Sequence, residues 1–218
     1  MTTPLGPFPP HLQLFDFLPE SEHRQLLEWV LENCEAFMPA TVTTGKPGDQ
    51  GKINEKQRIA LTTGEIGEIA SIVEPRLLAA LDQIIERVGY SGAKPSSLEL
   101  ELAAHGHGAH YRTHLDIPVG EDRLPLGAWA DEDRALSAVY YFHGEPKGFS
   151  GGELRLYRFG SMWNCDDVGS YVDLQPHNNS LLVFPSWALH EVRPVSCPSG
   201  DFKDYRFALN CWYCRPAA

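Results

Sequence analysis

Two histidines and an aspartate are the residues of this chain best suited to chemistry. His114 and Asp116 stand in His114-Leu115-Asp116, and His190 closes the run Phe184-Pro185-Ser186-Trp187-Ala188-Leu189-His190. Two imidazoles and one carboxylate on one face of a metal are the donor set of mononuclear non-haem Fe(II) sites, in which three positions stay open for a co-substrate and O2. Residues two apart on a strand point to the same face, so a metal can bridge His114 and Asp116 if the fold brings His190 alongside. The triplet alone does not decide the matter. Nine histidines make such spacing easy to meet by chance, and two surface histidines with a capping aspartate read equally well; the flanking sequence has to discriminate.

The elements that must position these residues fall into two parts. Residues 1–13 are proline-rich and read as an extended arm. An amphipathic helix is expected over residues 20–33, with Leu26, Leu27, Val30 and Leu31 at helical spacing. Residues 39–57, rich in Thr, Gly, Lys and Pro, read as a mobile loop. Helical pattern returns over 65–73, Pro75 opens a second helix over 76–88, and Gly89 ends it. From Ser97 the period changes to two: Leu98, Leu100 and Leu102 alternate with Glu99 and Glu101, as in a half-exposed strand. Further strands are expected over 110–115, 135–142, 152–157, 171–174, 180–184, 189–195 and 205–213. Helices first and about eight short strands afterwards indicate an α+β chain whose core is a double-sheet jelly roll of the cupin kind. The loops 39–57, 117–134 and 158–170 are longer than connection requires, and the second directly follows Asp116, where a lid or recognition loop would lie.

Bulk properties bound the function. The 218 residues are 43% hydrophobic and 22% charged, enough for one core and hence a single domain. A net charge of −11 argues against nucleic-acid binding driven by phosphate attraction. No apolar run is long enough to span a membrane, and the first residues lack a basic segment followed by an apolar one, so a cytoplasmic location is expected. Five cysteines in no framework spacing fit a reducing compartment. Cys211 and Cys214 have the Cys-x-x-Cys spacing, but residues three apart on a strand face opposite sides.

The last strand has a face suited to a ligand. Arg206, Ala208, Asn210 and Trp212 share it, while Phe207, Leu209, Cys211 and Tyr213 share the other. A guanidinium on a pocket wall can meet a carboxylate bidentately; a structural ion pair with a local acid is the other reading. Arg193, three residues after His190, should face away from it. Of the pair Tyr140-Tyr141, one phenol should point inward, either packing or donating to an acidic ligand. His105, His107 and His110 are interrupted by glycines and read as lining the mouth of the first site, or as solvated, rather than as a second metal site.

Taken in order, these segments resemble the 2-oxoglutarate/Fe(II)-dependent dioxygenases, in particular the prolyl 4-hydroxylase-like branch. The resemblance runs through residues 110–116, 138–142, 151–157, 181–185, 190–195 and 206–213, roughly the last 120 positions, and the Phe15-Asp16-Phe17-Leu18-Pro19 entry is also similar. It implies a double-stranded β-helix with N-terminal helices packed on one sheet: one catalytic domain over 1–218, with a helical part over 14–95 and the core over 97–214. It implies Fe(II) held by His114, Asp116 and His190. The co-substrate 2-oxoglutarate would chelate the iron and place its distal carboxylate on Arg206, with Tyr141 as helper and Trp212 nearby. Tyr111, Arg112 and Asn210 are the expected substrate-facing residues. The implied reaction is oxidative decarboxylation of 2-oxoglutarate, with O2 and possible support from ascorbate, coupled to hydroxylation of an unactivated C–H bond. Related halogenases lack the carboxylate that Asp116 supplies, which favours hydroxylation.

One departure stands out. His190 and Arg206 are sixteen positions apart, longer than is usual in that family, with an enlarged turn around residues 197–204. For the substrate, a prolyl or other residue of a peptide stands beside a free amino acid or small metabolite. A cupin-like metal protein without oxygenase activity, such as a zinc hydrolase, is the reading from another class; it has no need of a buried arginine opposite the metal.

Overall fold

The computed structural model describes residues 8–43, 51–117, 134–158 and 170–216. Within them lie β1 (Leu12–Phe15), α1 (Glu20–Glu32), β2 (Met38–Pro39), β3 (Arg58–Ile59), β4 (Leu61–Thr63) and α2 (Ile69–Val88). There follow β5 (Ser97–His105), β6 (His110–His114), β7 (Arg134–Phe142), β8 (Ser150–Gly151) and β9 (Leu154–Tyr157). The last are β10 (Tyr171–Leu174), β11 (Ser180–Pro185), β12 (His190–Val192), β13 (Val195–Ser196) and β14 (Arg206–Cys214).

Helix α1 starts after an extended Pro19, with Glu20 and Glu22 in its first turn, where negative charge suits the helix dipole. It buries His23, Leu26 and Val30 at helical spacing. The two helices expected around Pro75 are one: α2 runs through it. A proline within a helix removes a hydrogen bond and costs about 3 kcal/mol. Ile69, Val73, Leu77, Leu81, Ile84 and Val88 form one buried stripe spanning the proline, and full burial of each such side chain is worth roughly 1.5–3 kcal/mol. The stripe therefore outweighs the break. Gly89 ends the helix as expected, at φ 72°, its N–H shared between the carbonyls of Ile85 and Glu86.

Seven strands form one sheet in the order β1-β11-β7-β14-β5-β4-β2, and five form another in the order β10-β9-β12-β6-β3; β13 and β8 pair separately. The period-two reading of β14 holds. Phe207, Leu209, Cys211 and Tyr213 pack with the helices in the larger core, where the Tyr213 hydroxyl donates to the Leu77 carbonyl at 2.9 Å. Ala208 on the opposite face joins Val139, Tyr141, Leu154, Leu156, Leu182 and Phe184 in the core between the two sheets. Cys211 and Cys214 accordingly diverge: Cys211 lies in the helix-side core, and the Cys214 thiol meets Glu99.

Several expectations need correction. The arm of residues 1–13 ends in β1, which pairs with β11 in the register Leu12↔Val183 to Phe15↔Ser180. The stretch 39–57 is not simply a loop: Met38–Pro39 pairs with β4 and Val42 bridges to Lys52, while residues 44–50 lie outside the described residues. Such strands of two to four residues are too short for periodicity to reveal; only their partners define them. The loops 117–134 and 158–170 fall for the most part outside the described residues.

Candidate active site

The triad comes together at the end of the smaller sheet. His190 on β12 stands directly opposite His114 on β6, with ring centroids 4.2 Å apart. Nitrogen and carboxylate ligand atoms of His114, Asp116 and His190 all lie within 4.8 Å of one another, the only such group among the described residues. His114 Nε2 is 3.6 Å from Asp116 Oδ1, and His190 Nε2 is 3.7 Å from Asp116 Oδ2.

Each ring is aimed by its own backbone. His114 Nδ1 meets the Arg112 carbonyl at 2.7 Å, and His190 Nδ1 meets the Ala188 carbonyl at 2.8 Å. A carbonyl only accepts, so Nδ1 carries the proton and both Nε2 lone pairs face the carboxylate, the tautomer a metal needs. Tyr111 stacks flat on His114 at 3.5 Å, and Phe184 meets His190 edge-on at 4.8 Å. Burial, then the neighbouring His190, holds His114 well below the usual imidazole range, so it is neutral at pH 7. Burial alone would raise Asp116; His190, His114 and the Ser137 hydroxyl outweigh it and hold the carboxyl ionised.

Asp116 is not aimed by strand alternation, as its spacing suggested, because β6 ends at His114. Ser137 Oγ donates to Asp116 Oδ2 at 2.6 Å and lies 3.0 Å from Ser186 Oγ, while the Asp116 N–H bonds to the Ser186 carbonyl. Neither serine was legible as a site residue.

At the other end of the β14 face, Arg206 is 1% exposed and stands opposite His105. Its Nε donates to the Gly152 carbonyl at 2.8 Å and its Nη1 to His105 Nδ1 at 3.1 Å. No carboxylate among the described residues forms an ion pair with it. Its guanidinium carbon lies 4.8 Å from the centre of the Tyr141 ring. The Tyr141 hydroxyl is buried without a well-formed hydrogen bond among the described residues. Burial pushes that phenol up to about 12 against the pull of the guanidinium, so it remains a donor. The second tyrosine of the pair does face inward; Tyr140 faces the helices, where its hydroxyl meets His23 at 2.7 Å.

The enlarged turn before Arg206 is a buttress. Phe202 packs on Phe37, Tyr205 and Phe207. The Cys197 thiol meets the Asp204 carbonyl, and its N–H donates to His107. Gly152 sits against the arginine itself: at φ +73°, a Cβ there would lie 2.5 Å from Arg206 Cδ. Arg193 points away as expected, bonding Glu191.

Between the two ends lie residues with mixed outcomes. Trp212 pairs in register with Ser137, which places it at the metal end of the strand rather than beside Arg206, with the Arg134 guanidinium 3.9 Å over its ring. Asn210 donates to Glu101, which also accepts from Arg58 at 2.7 Å. Arg58 in turn lies 4.9 Å over Tyr111. The Arg112 side chain is exposed; its backbone does the positioning, with its N–H on the Gln57 carbonyl and its C=O on His114. The half-exposed reading of this strand holds for Glu99, which stays exposed beside Arg134, while Glu101 is drawn into the cleft by Arg58 and Asn210. Arg58 and Arg134, from distant elements, gave no sequence signal.

Fold and site define a two-histidine, one-carboxylate metalloprotein built on facing sheets. Residues 100–214 match the 2OG-Fe(II) oxygenase superfamily, and the chain belongs to that family. The family implies Fe(II), 2-oxoglutarate and O2, and the His114, Asp116 and His190 ligand atoms form a group able to hold the metal. A PKHD-type hydroxylase of Synechocystis, itself uncharacterized, is 30% identical over 92% of the chain, and the chain spans 61% of that relative's length. A Pseudomonas putida prolyl-4-hydroxylase structure shares 26% identity at TM-score 0.61, covering 95% of this chain and 94% of that one. A Trichoplax adhaerens prolyl hydroxylase, solved with a peptide fragment of hypoxia inducible factor, shares the fold at 19% identity and TM-score 0.63, covering 94% and 83%.

The donor chemistry fits the family's requirements. Two imidazoles with their Nε2 atoms turned toward an ionised carboxylate suit Fe(II). A buried guanidinium without a carboxylate, beside an orphaned phenol, suits the far end of a dicarboxylate.

Proposed function

We propose that the protein hydroxylates an unactivated C–H bond of a residue in a peptide or protein, with a prolyl residue as the first candidate. His114, Asp116 and His190 hold Fe(II), and Arg206 with Tyr141 binds the distal carboxylate of 2-oxoglutarate. The observation that carries this reading is Arg206: a fully buried cation whose hydrogen bonds to Gly152 and His105, among the described residues, go to neutral acceptors, on the face of β14 that looks into the core between the sheets. Leaving such a charge unpaired is costly, and an anionic ligand removes the cost. A hydrolytic zinc site would not call for it. The two facing sheets and the helices on the larger one are read as a double-stranded β-helix, and residues 1–218 as one catalytic domain.

Bound Fe(II), with 2-oxoglutarate and O2, supplies oxidative decarboxylation to succinate and CO2 and the oxidising power to functionalise a C–H bond. The chain contributes position and charge. Arg206 and Tyr141 orient the co-substrate. Ser137 keeps Asp116 on the metal face, and the two backbone carbonyls keep both imidazoles in the ligating tautomer. Tyr111 is held between His114 and the Arg58 guanidinium, whereas Trp212, with Arg134 over one face, stands at the metal end, where a prolyl ring can pack. Arg58 Nε is buried and has no hydrogen bond among the described residues, a donor suited to a peptide carbonyl. The peptide bound to the Trichoplax relative supports a peptide substrate. A net charge of −11 disfavours nucleic acid, and no described helix is long and apolar enough to cross a membrane.

The test is succinate formation from 2-oxoglutarate by purified protein in air with Fe(II) and ascorbate, followed by proline-containing peptides screened for a gain of one oxygen. Iron-dependent succinate that vanishes in His114→Ala supports the reading. Iron-loaded protein that neither turns over nor binds 2-oxoglutarate overturns it. Turnover of a free amino acid, with peptides inert, overturns the substrate class alone.

A further inference from the structure

The buried histidine opposite Arg206 is not explained by metal binding or by packing. His105 is 4% exposed and lies directly across the β5–β14 pair from Arg206. Its Nδ1 is 3.1 Å from Arg206 Nη1. A guanidinium has no acceptor, so the nitrogen facing it must be the unprotonated one. This settles the tautomer on chemical grounds: His105 accepts at Nδ1 and carries its proton at Nε2. Burial, then the Arg206 charge, keeps the ring neutral.

The consequence for Arg206 is geometric. Its Nε is tied to the Gly152 carbonyl and one Nη1 hydrogen to His105. These two anchors come from different segments, the turn between β8 and β9 and strand β5, and fix the guanidinium plane, leaving among the described residues three of its five N–H groups to face the Tyr141 phenol and a ligand. Both anchors are neutral, so neither competes with an incoming carboxylate for the charge. A carboxylate in place of His105 would neutralise the arginine, and an apolar side chain would leave it free to rotate. Gly152 packs close against the arginine's Cδ, and His105 holds its Nη1.

We propose that His105 is a positioning residue for the 2-oxoglutarate site, orienting Arg206 through a neutral Nδ1 acceptor so that its free N–H groups meet the distal carboxylate. The inference rests on the assignment of 2-oxoglutarate to Arg206. It goes beyond that assignment by naming the group that makes the arginine selective for a carboxylate in one orientation.

The test compares two substitutions. His105→Asn keeps an acceptor near the Nδ1 position; His105→Leu removes it at similar size. Mn(II)-loaded proteins are titrated with 2-oxoglutarate by calorimetry, with metal affinity and the melting curve measured in parallel. Affinity for 2-oxoglutarate should fall roughly tenfold to hundredfold in His105→Leu and recover to within a few-fold of wild type in His105→Asn, with metal affinity unchanged in both. If His105→Leu does not fold, His105→Gln, which displaces the acceptor by one bond, takes its place with the same expected loss. Unchanged 2-oxoglutarate affinity in a folded His105→Leu or His105→Gln protein overturns the inference, as does equal weakening in His105→Asn and His105→Leu. Wild-type protein that binds Mn(II) but not 2-oxoglutarate overturns the co-substrate assignment itself and this inference with it.

Discussion

Removing a single hydroxyl, in Ser137→Ala, should weaken metal binding while leaving the fold intact. Ser137 is 1% exposed on β7, and its Oγ donates to Asp116 Oδ2 at 2.6 Å. That bond is short and charge-assisted, and bonds to charged groups contribute about 1.5–3 kcal/mol. Without it, the Asp116 N–H keeps its bond to the Ser186 carbonyl, but the carboxylate loses the contact that turns one oxygen toward His190. If most of that energy serves to orient the ligand, metal affinity falls by roughly 10–100-fold, the range common when a partner of a metal ligand is removed. Fluorescence competition between a chelating dye and the protein for Mn(II) would measure the loss. The substitution removes one small buried atom and also deprives Ser186 Oγ of its 3.0 Å partner, so the melting temperature should fall only a few degrees. Unchanged metal affinity in a folded Ser137→Ala protein would refute the reasoning, since it would mean that Asp116 is positioned by the backbone alone or is not a ligand.

Two further outcomes follow from the distal end of the cleft. Arg206→Ala should raise the 2-oxoglutarate requirement by roughly a hundredfold or more while iron affinity stays near wild type; an unchanged requirement would point to a different carboxylate partner. Gly152→Ala brings a Cβ to 2.5 Å from Arg206 Cδ at a φ of +73° that alanine adopts poorly. It should weaken 2-oxoglutarate binding as well as stability, and calorimetry showing wild-type affinity would argue that the guanidinium does not depend on this contact.

How much of this was legible in the sequence depends on the range of the interaction. The alternation along residues 206–213 is a local property of an extended chain, so the two faces of β14 could be read directly, and with them the placing of Arg206, Asn210 and Trp212 on one side. The ligand types of His114, Asp116 and His190 were likewise readable, because metal preference resides in the donor atoms. Periodicity does not say what a face looks at. Glu99 and Glu101 alternate with leucines as a half-exposed strand would, and Glu99 does stay exposed beside Arg134 of its own sheet, yet Arg58 of the second sheet meets Glu101 across a cleft that only strand pairing creates. Asp116 sits beyond the end of its strand, so its aim comes from Ser137 and Ser186, 21 and 70 positions onward. His105 and Arg206 are 101 residues apart and become neighbours only through the register of β5 on β14. Pro75 marked a break that the apolar stripe of α2 overrode. The sequence by itself determined the donor chemistry and the faces of the long strands, since both follow from side-chain identity and local geometry. The tertiary structure alone decided which of those faces became a cleft and which neutral groups aim the charged ones, because contacts between distant segments depend on the whole set of strand pairings rather than on any local pattern.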